Sequence, residues 1–197
     1  MKCNKISMLQ EKSKGFLLAC FFLVTTFWTT NLLAAETITL KAQAMLKDST
    51  ITLTNGKSLN FGDIAVVPNT AASILIDAKA GAATATTQSG TATLSGQSHS
   101  GVVKVLSPVT TNLSINYAIQ DADGINDKLK STGAGNKKLT LTAANIATYS
   151  TPTGLAVTGG VEATINVGGL LEIPVGLGDA DFAQTYEGTV TITVDYN

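Results

Sequence analysis

His99 is the single histidine of the 197-residue chain, so any imidazole chemistry must pass through it. It stands in Gly96-Gln97-Ser98-His99-Ser100-Gly101, beside a serine. A serine nucleophile with a histidine base is conceivable there. Ser98 and His99 are however chain neighbours in a polar loop, and no Gly-x-Ser-x-Gly elbow exists. The reading that competes with catalysis, and is preferred, is a solvated loop histidine. A zinc site needs several histidine or cysteine ligands, which the segment after residue 35 does not hold. Asp121-Ala122-Asp123-Gly124-Ile125-Asn126-Asp127 clusters the hard oxygen ligands that calcium takes, with Asp121, Asp123 and Asp127 as the candidate ligands. Its glycine falls at the fourth place rather than the sixth, and Ile125 occupies a ligand position. The alternative is an acidic turn built on Asp-Gly. Asp179 and Asp181 form a second acidic loop, read as turn residues. Gly133-Ala134-Gly135-Asn136-Lys137 lacks the length and the Lys-Ser/Thr ending of a phosphate-binding loop. Any two carboxylates could meet in space to cleave a glycoside. Sugar sites commonly stack rings on exposed aromatics, though, and beyond residue 35 the chain has no tryptophan and only two phenylalanines, Phe61 and Phe182. No catalytic residue and no cofactor is therefore expected.

The elements that would carry such residues begin behind an export sequence. Lys2, Lys5, Lys12 and Lys14 precede an uncharged run from Gly15 to Ala35 that ends in Leu33-Ala34-Ala35. That order is a secretory signal, with cleavage expected after Ala35. An uncleaved anchor and a lipoprotein box at Leu17-Leu18-Ala19-Cys20 are the alternatives, and Met8 is an alternative start. Removing 35 of 197 residues leaves 162, one domain of ordinary size. It also removes Cys3, Cys20 and Trp28, so the remaining fold is held by core and strand pairing without disulfides. All thirteen positive charges are lysines. Four lie in the signal, which leaves nine against thirteen acids and a net charge of minus four. A nucleic-acid partner, which would want a basic patch with arginine forks, is excluded.

From Glu36 onward threonine, alanine, valine and glycine dominate, and no stretch keeps a helical apolar stripe. The composition and spacing predict a single all-β, immunoglobulin-like antiparallel β-sandwich. Period-two alternation is strongest in Ile38, Leu40, Ala42 and Ala44 at the front and in Val190, Ile192, Val194 and Tyr196 at the back. Asn55-Gly56, between Ile51-Thr52-Leu53 and Leu59-Asn60-Phe61, predicts a tight hairpin. Further strands are expected over 73–79, 101–106, 112–120, 138–142, 163–167 and 170–175. Residues 81–90 and 131–136 read as mobile loops or weak edge strands, and 145–150 as a short helical turn.

Thr37-Ile38-Thr39-Leu40-Lys41-Ala42-Gln43-Ala44, followed by Ser49-Thr50-Ile51-Thr52-Leu53, resembles the donor segment and first strand of cysteine-free major pilins assembled by the chaperone and usher pathway. Tyr186-Glu187-Gly188-Thr189-Val190-Thr191-Ile192-Thr193-Val194-Asp195-Tyr196-Asn197 resembles their closing strand. Together with Leu59-Asn60-Phe61-Gly62 and Val167-Gly168-Gly169-Leu170-Leu171, that ending is also similar to a bacterial secreted family known as domain of unknown function 4402. Spore-coat-type secreted domains end similarly.

With the signal at 1–35, the pilin resemblance implies a donor strand within 36–47 and a pilin-like sandwich over 48–197. It also implies copies of the chain as partners in a fibre, a periplasmic chaperone, an outer-membrane usher, and a route from periplasm to cell surface. The expected function is then a non-enzymatic fimbrial subunit that polymerises by strand donation and contributes to adhesion, with no membrane span once the signal is gone. The alternative is a monomeric, self-complemented secreted or cell-surface binding domain.

Overall fold

Glycine corners and alternating strands give the chain its layered form. The computed structural model describes residues 49–197. The signal over 1–35 and the front segment Ile38, Leu40, Ala42 and Ala44 lie outside the described residues.

Strands β1 (Thr52–Lys57), β6 (Gly101–Leu106) and β11 (Glu162–Val167) form one antiparallel sheet in the order β1-β6-β11. Strands β7 (Thr111–Gln120), β10 (Gly154–Val157) and β14 (Thr189–Tyr196) form another, ordered β10-β7-β14. A six-stranded sheet joins β3 (Ala72–Ile76), β4 (Thr86–Ser89), β8 (Lys128–Ser131), β9 (Lys138–Thr140), β12 (Gly169–Ile173) and β13 (Tyr186–Glu187) in the order β13-β8-β9-β12-β3-β4. A small sheet pairs β2 (Asp63–Val66) with β5 (Ala92–Ser95). The expected all-β antiparallel sandwich is what the chain adopts.

Two of these sheets are entered by a single turn of backbone. β11 runs into β12 through Gly168, and β13 into β14 through Gly188, so each chain segment changes sheet at a glycine. At Gly168 a Cβ would collide with the carbonyl oxygens of Ile76 and Tyr149, and its N–H donates to Ser150 Oγ at 2.9 Å. At Gly188 a Cβ would lie 2.7 Å from Leu129 Cδ2. Glycine at such a corner is required by close backbone approach.

Alternation places the core. In β7, Leu113, Ile115 and Ile119 are sealed while Asn112, Asn116 and Gln120 face water. Ile74 and Ile76 of β3, Val105 of β6 and Ile165 of β11 join them in one apolar cluster that reaches every sheet. Each such side chain contributes about 1.5–3 kcal/mol by burial. The helical turn expected over 145–150 is α1 (Ala143–Tyr149), in which Thr142 Oγ1 accepts from the Asn145 N–H at 2.9 Å and Ile146 enters the core.

The hairpin expected at Asn55-Gly56 is not formed. β1 runs straight through both residues and pairs with β6, from Thr52 opposite Leu106 to Lys57 opposite Val102, with a bulge between Asn55 and Lys57. Neither Asn55 nor Gly56 has a positive φ. A ladder of five residue pairs outweighs a local two-residue turn preference, and Gly56 serves the bulge instead. Leu59-Asn60-Phe61 contributes only a single bridge, Asn60 to His99. The segment 81–90 holds edge strand β4, paired to β3. The loop over 131–136 is clasped by Asp181, as described below.

Candidate functional site

The acidic turn is occupied by lysine. Asp121 Oδ1 accepts from the N–H groups of Asp123 and Ile125, both at 2.9 Å, and its Oδ2 receives Lys138 Nζ at 2.5 Å. Asp123 takes Lys130 Nζ at 2.7 Å and Lys138 Nζ at 2.8 Å. Lys130 and Lys138 stand opposite each other on β8 and β9, so strand pairing aims two ammonium groups at one turn. The bonds from Lys130 and then Lys138 hold the Asp123 carboxyl at about 2. Burial works against ionisation of Asp121, but the Lys138 bond and the two backbone N–H groups outweigh it and keep the carboxyl below its usual range. Asp127 points elsewhere: its Oδ1 accepts from Ala143 N–H at 2.5 Å, at the start of α1. Asp121, Asp123 and Asp127 thus do not converge as calcium ligands, and among the described residues no group of three or more histidines, cysteines and carboxylates is placed to hold a metal. The two lysines were the missing part of the sequence reading. Their alternation with Leu129 and Leu139 was its only signal.

Asp181 is a buried clasp. Its Oδ1 accepts from Asn136 and Lys137 N–H at 2.7 and 2.9 Å, and Oδ2 from Gly178 N–H at 2.9 Å. The backbone bonds from Lys137 and Gly178 depress its carboxyl against the opposing effect of burial. Asp179 and Asp181 form a short 3-10 turn, and Tyr186 Oη donates to the Asp181 carbonyl at 2.9 Å. This clasp ties the loop after β8 to the approach of the last strand.

His99 and Ser98 do not form a catalytic pair. Ser98 Oγ accepts from Ala85 N–H at 3.0 Å, and the half-buried His99 pairs through its backbone with Asn60. Its Nδ1 lies 3.4 Å from the Ser100 carbonyl.

An open groove of about 380 Å³ between β1 and β14 has room for a partner. Leu53 of β1, Val103 of β6, Val167 of β11, Leu59 and the closing-strand residues Val190 and Ile192 line it. Val194 and Tyr196 continue the same face, because side chains two residues apart share it.

Burial falls off across this face one strand at a time. Val190, Ile192, Val194 and Tyr196 stand opposite Ile119, Tyr117, Ile115 and Leu113 of β7. Directly opposed residues lie on the same side of the sheet. Leu113, Ile115 and Ile119 are at most 2% exposed. Of their β14 neighbours, Val190 and Val194 are only half-buried and Tyr196 is 40% exposed, while Ile192 and the Tyr117 opposite it are both half-buried. Across the groove all six residues of β1 are exposed, including inward-facing Leu53 at 41%. Among the described residues β1 pairs with β6 alone and β14 with β7 alone. Both strands therefore present an edge and an apolar flank to the same space.

No curated protein and no solved structure matches the chain. Residues 51–196 match the family model described as Domain of unknown function (DUF4402), three quarters of the chain that takes in both groove-lining strands and the acidic turn, and the protein belongs to that family.

Proposed function

We propose that the protein is a non-enzymatic structural subunit of a bacterial surface fibre, in which Ile38, Leu40, Ala42 and Ala44 of one copy fill the groove between β1 and β14 of the next. The observation that carries this reading is the falling burial from β7 to β14 to β1 around a mostly apolar groove whose one charged lining residue is Lys57. An extended segment laid there would meet backbone edges on both sides and side-chain space below, which is strand addition. The segment from Thr37 to Ala44 has the alternation such a place requires, and it lies outside the matched span of residues 51–196. Burying Ile38 and Leu40 would contribute about 1.5–3 kcal/mol each, and main-chain pairing would add register and slow release. The reading includes export by the signal at 1–35, a periplasmic chaperone that covers β14 before assembly, and an outer-membrane usher. It also includes adhesion as the role of the fibre.

Sizing the exported chain and running it unboiled on denaturing gels tests this. Ladders that collapse on boiling, and that vanish when residues 36–46 are deleted, are the expected result. A monomer whose stability is unchanged by that deletion would refute it and favour the self-contained binding domain.

A further inference from the structure

Four of the eight large apolar residues that are exposed on the described fold gather at one end of it: Leu106, Val109, Val161 and Tyr196, at 41, 40, 55 and 40%. Leu106 ends β6 opposite both Thr52 and Glu162. Val161 precedes Glu162, Gly160 N–H donates to the Ser107 carbonyl at 2.8 Å, and Gly159 packs on the backbone of Val109. Tyr196 lies opposite Leu113, two residues from the start of β7, so β14 reaches the same end of the sandwich. The loops 107–110 and 158–161 carry no charge, Lys104 and Glu162 beside them neutralise each other at 2.9 Å, and Asp195 stands at the margin, next to Tyr196. The other exposed residues differ: Leu53 lines the groove, while Val67, Ile125 and Val175 stand singly on separate loops. Isolated apolar residues need no explanation, whereas a gathered, uncharged set marks a contact surface.

We infer that this end, with Leu106, Val109 and Val161 at its centre, is a docking surface for a second copy of the chain. The inference rests on the strand-donation reading and adds a second contact to it. β1 begins at Thr52, at this same end, so the segment 38–44 is joined to it by Met45–Ile51 alone. Seven residues span at most about 25 Å. A copy that holds Ile38 to Ala44 in its groove is therefore held against this end. Because the strand leaves one face and enters another, the contact is heterologous and propagates into a filament rather than closing as a pair.

The experiment assembles the full chain, expressed for export, beside a Val109→Ser/Val161→Ser variant and a near-isosteric Val161→Thr variant. Release of subunits from assembled fibres is followed by sizing after dilution into moderate urea, and folding of each variant by far-ultraviolet circular dichroism. The double variant is expected to assemble and to release subunits about tenfold faster, in line with two half-exposed valines leaving a contact. Val161→Thr, which keeps the shape of the side chain, is expected to show a smaller acceleration and serves alone if the double variant does not fold. Release at the wild-type rate from folded variants overturns this inference and leaves strand donation standing. A wild-type chain that is monomeric under all conditions overturns both.

Discussion

Leu53 and Leu113 are the same residue in opposite circumstances, and leucine-to-alanine changes at the two positions should separate an open groove from a finished core. Leu113 is 0% exposed and surrounded on all sides, whereas Leu53 is 41% exposed on the flank of the groove. Leu113→Ala should cost about 2–5 kcal/mol whether or not the groove is filled, because the cavity it leaves is enclosed. For Leu53→Ala in a chain lacking residues 36–46, only the buried part of the side chain counts. At about 0.8 kcal/mol per buried CH₂ the loss is about 1–1.5 kcal/mol, with no enclosed cavity to add to it. When a strand from another copy covers Leu53, the same change removes a fully buried side chain, and the cost should rise by at least about 1 kcal/mol toward the Leu113 value. Urea unfolding of the parent chain and the two variants, with midpoints and slopes compared in deleted and assembled forms, measures both numbers. An equal cost of Leu53→Ala in the two forms would mean that nothing is laid over β1, and the strand-addition reasoning would fail.

Three further outcomes follow from the geometry. Asp123 has its carboxyl at about 2, below the unfolded value of about 3.9, so its contribution is complete above about pH 4 and lost as pH falls through about 2. Thermal midpoints should therefore be flat from pH 7 to 5 and drop between about 4 and 2, and Lys138→Met should flatten that drop; a midpoint unchanged down to pH 2 would contradict the Lys130–Asp123–Lys138 arrangement. Gly168→Ala places a methyl group against the Ile76 and Tyr149 carbonyls, and should cost at least about 3 kcal/mol or abolish folding, as seen in soluble yield and urea midpoint. Asp181→Leu removes the acceptor of three backbone N–H groups and should lower the melting temperature by several degrees while raising amide exchange at Asn136, Lys137 and Gly178; unchanged exchange there would show that the clasp does not hold the loop.

Strands with one sealed face were legible in the sequence, because their side chains record the face. β7 and β14 alternate without interruption, and β11 and β12 were visible on either side of Gly168. β8 and β10 were not. Lys128-Leu129-Lys130-Ser131 seats one apolar residue, and Gly154-Leu155-Ala156-Val157 is short and glycine-led, so neither displays a period long enough to read. The Asn55-Gly56 turn failed for the opposite reason. Its local signal was strong, but a turn there would have left the β6 edge without the partner that β1 supplies. The acidic turn shows the same limit in electrostatic form. Its carboxylates are adjacent in sequence, whereas the ammonium groups that satisfy them arrive from β8 and β9 through strand pairing.

The closing strand joins these two kinds of information. Alternation in Val190, Ile192, Val194 and Tyr196 says that one face is apolar, and it would say the same in a self-contained sandwich and in an unfinished one. What differs is how deeply that face is covered, which is a property of the neighbouring strands. Pairing with β7 brings Val190 beside Ile119 and Val194 beside Ile115, on a face that is sealed at β7. One strand further out the cover thins, and across the groove Leu53 faces inward yet stays 41% exposed. An apolar flank left in that condition stays costly to hydrate until something apolar and extended lies on it. The size of that unmet burial, read through Leu53→Ala before and after assembly, is the quantity that distinguishes a fibre subunit from a free-standing domain.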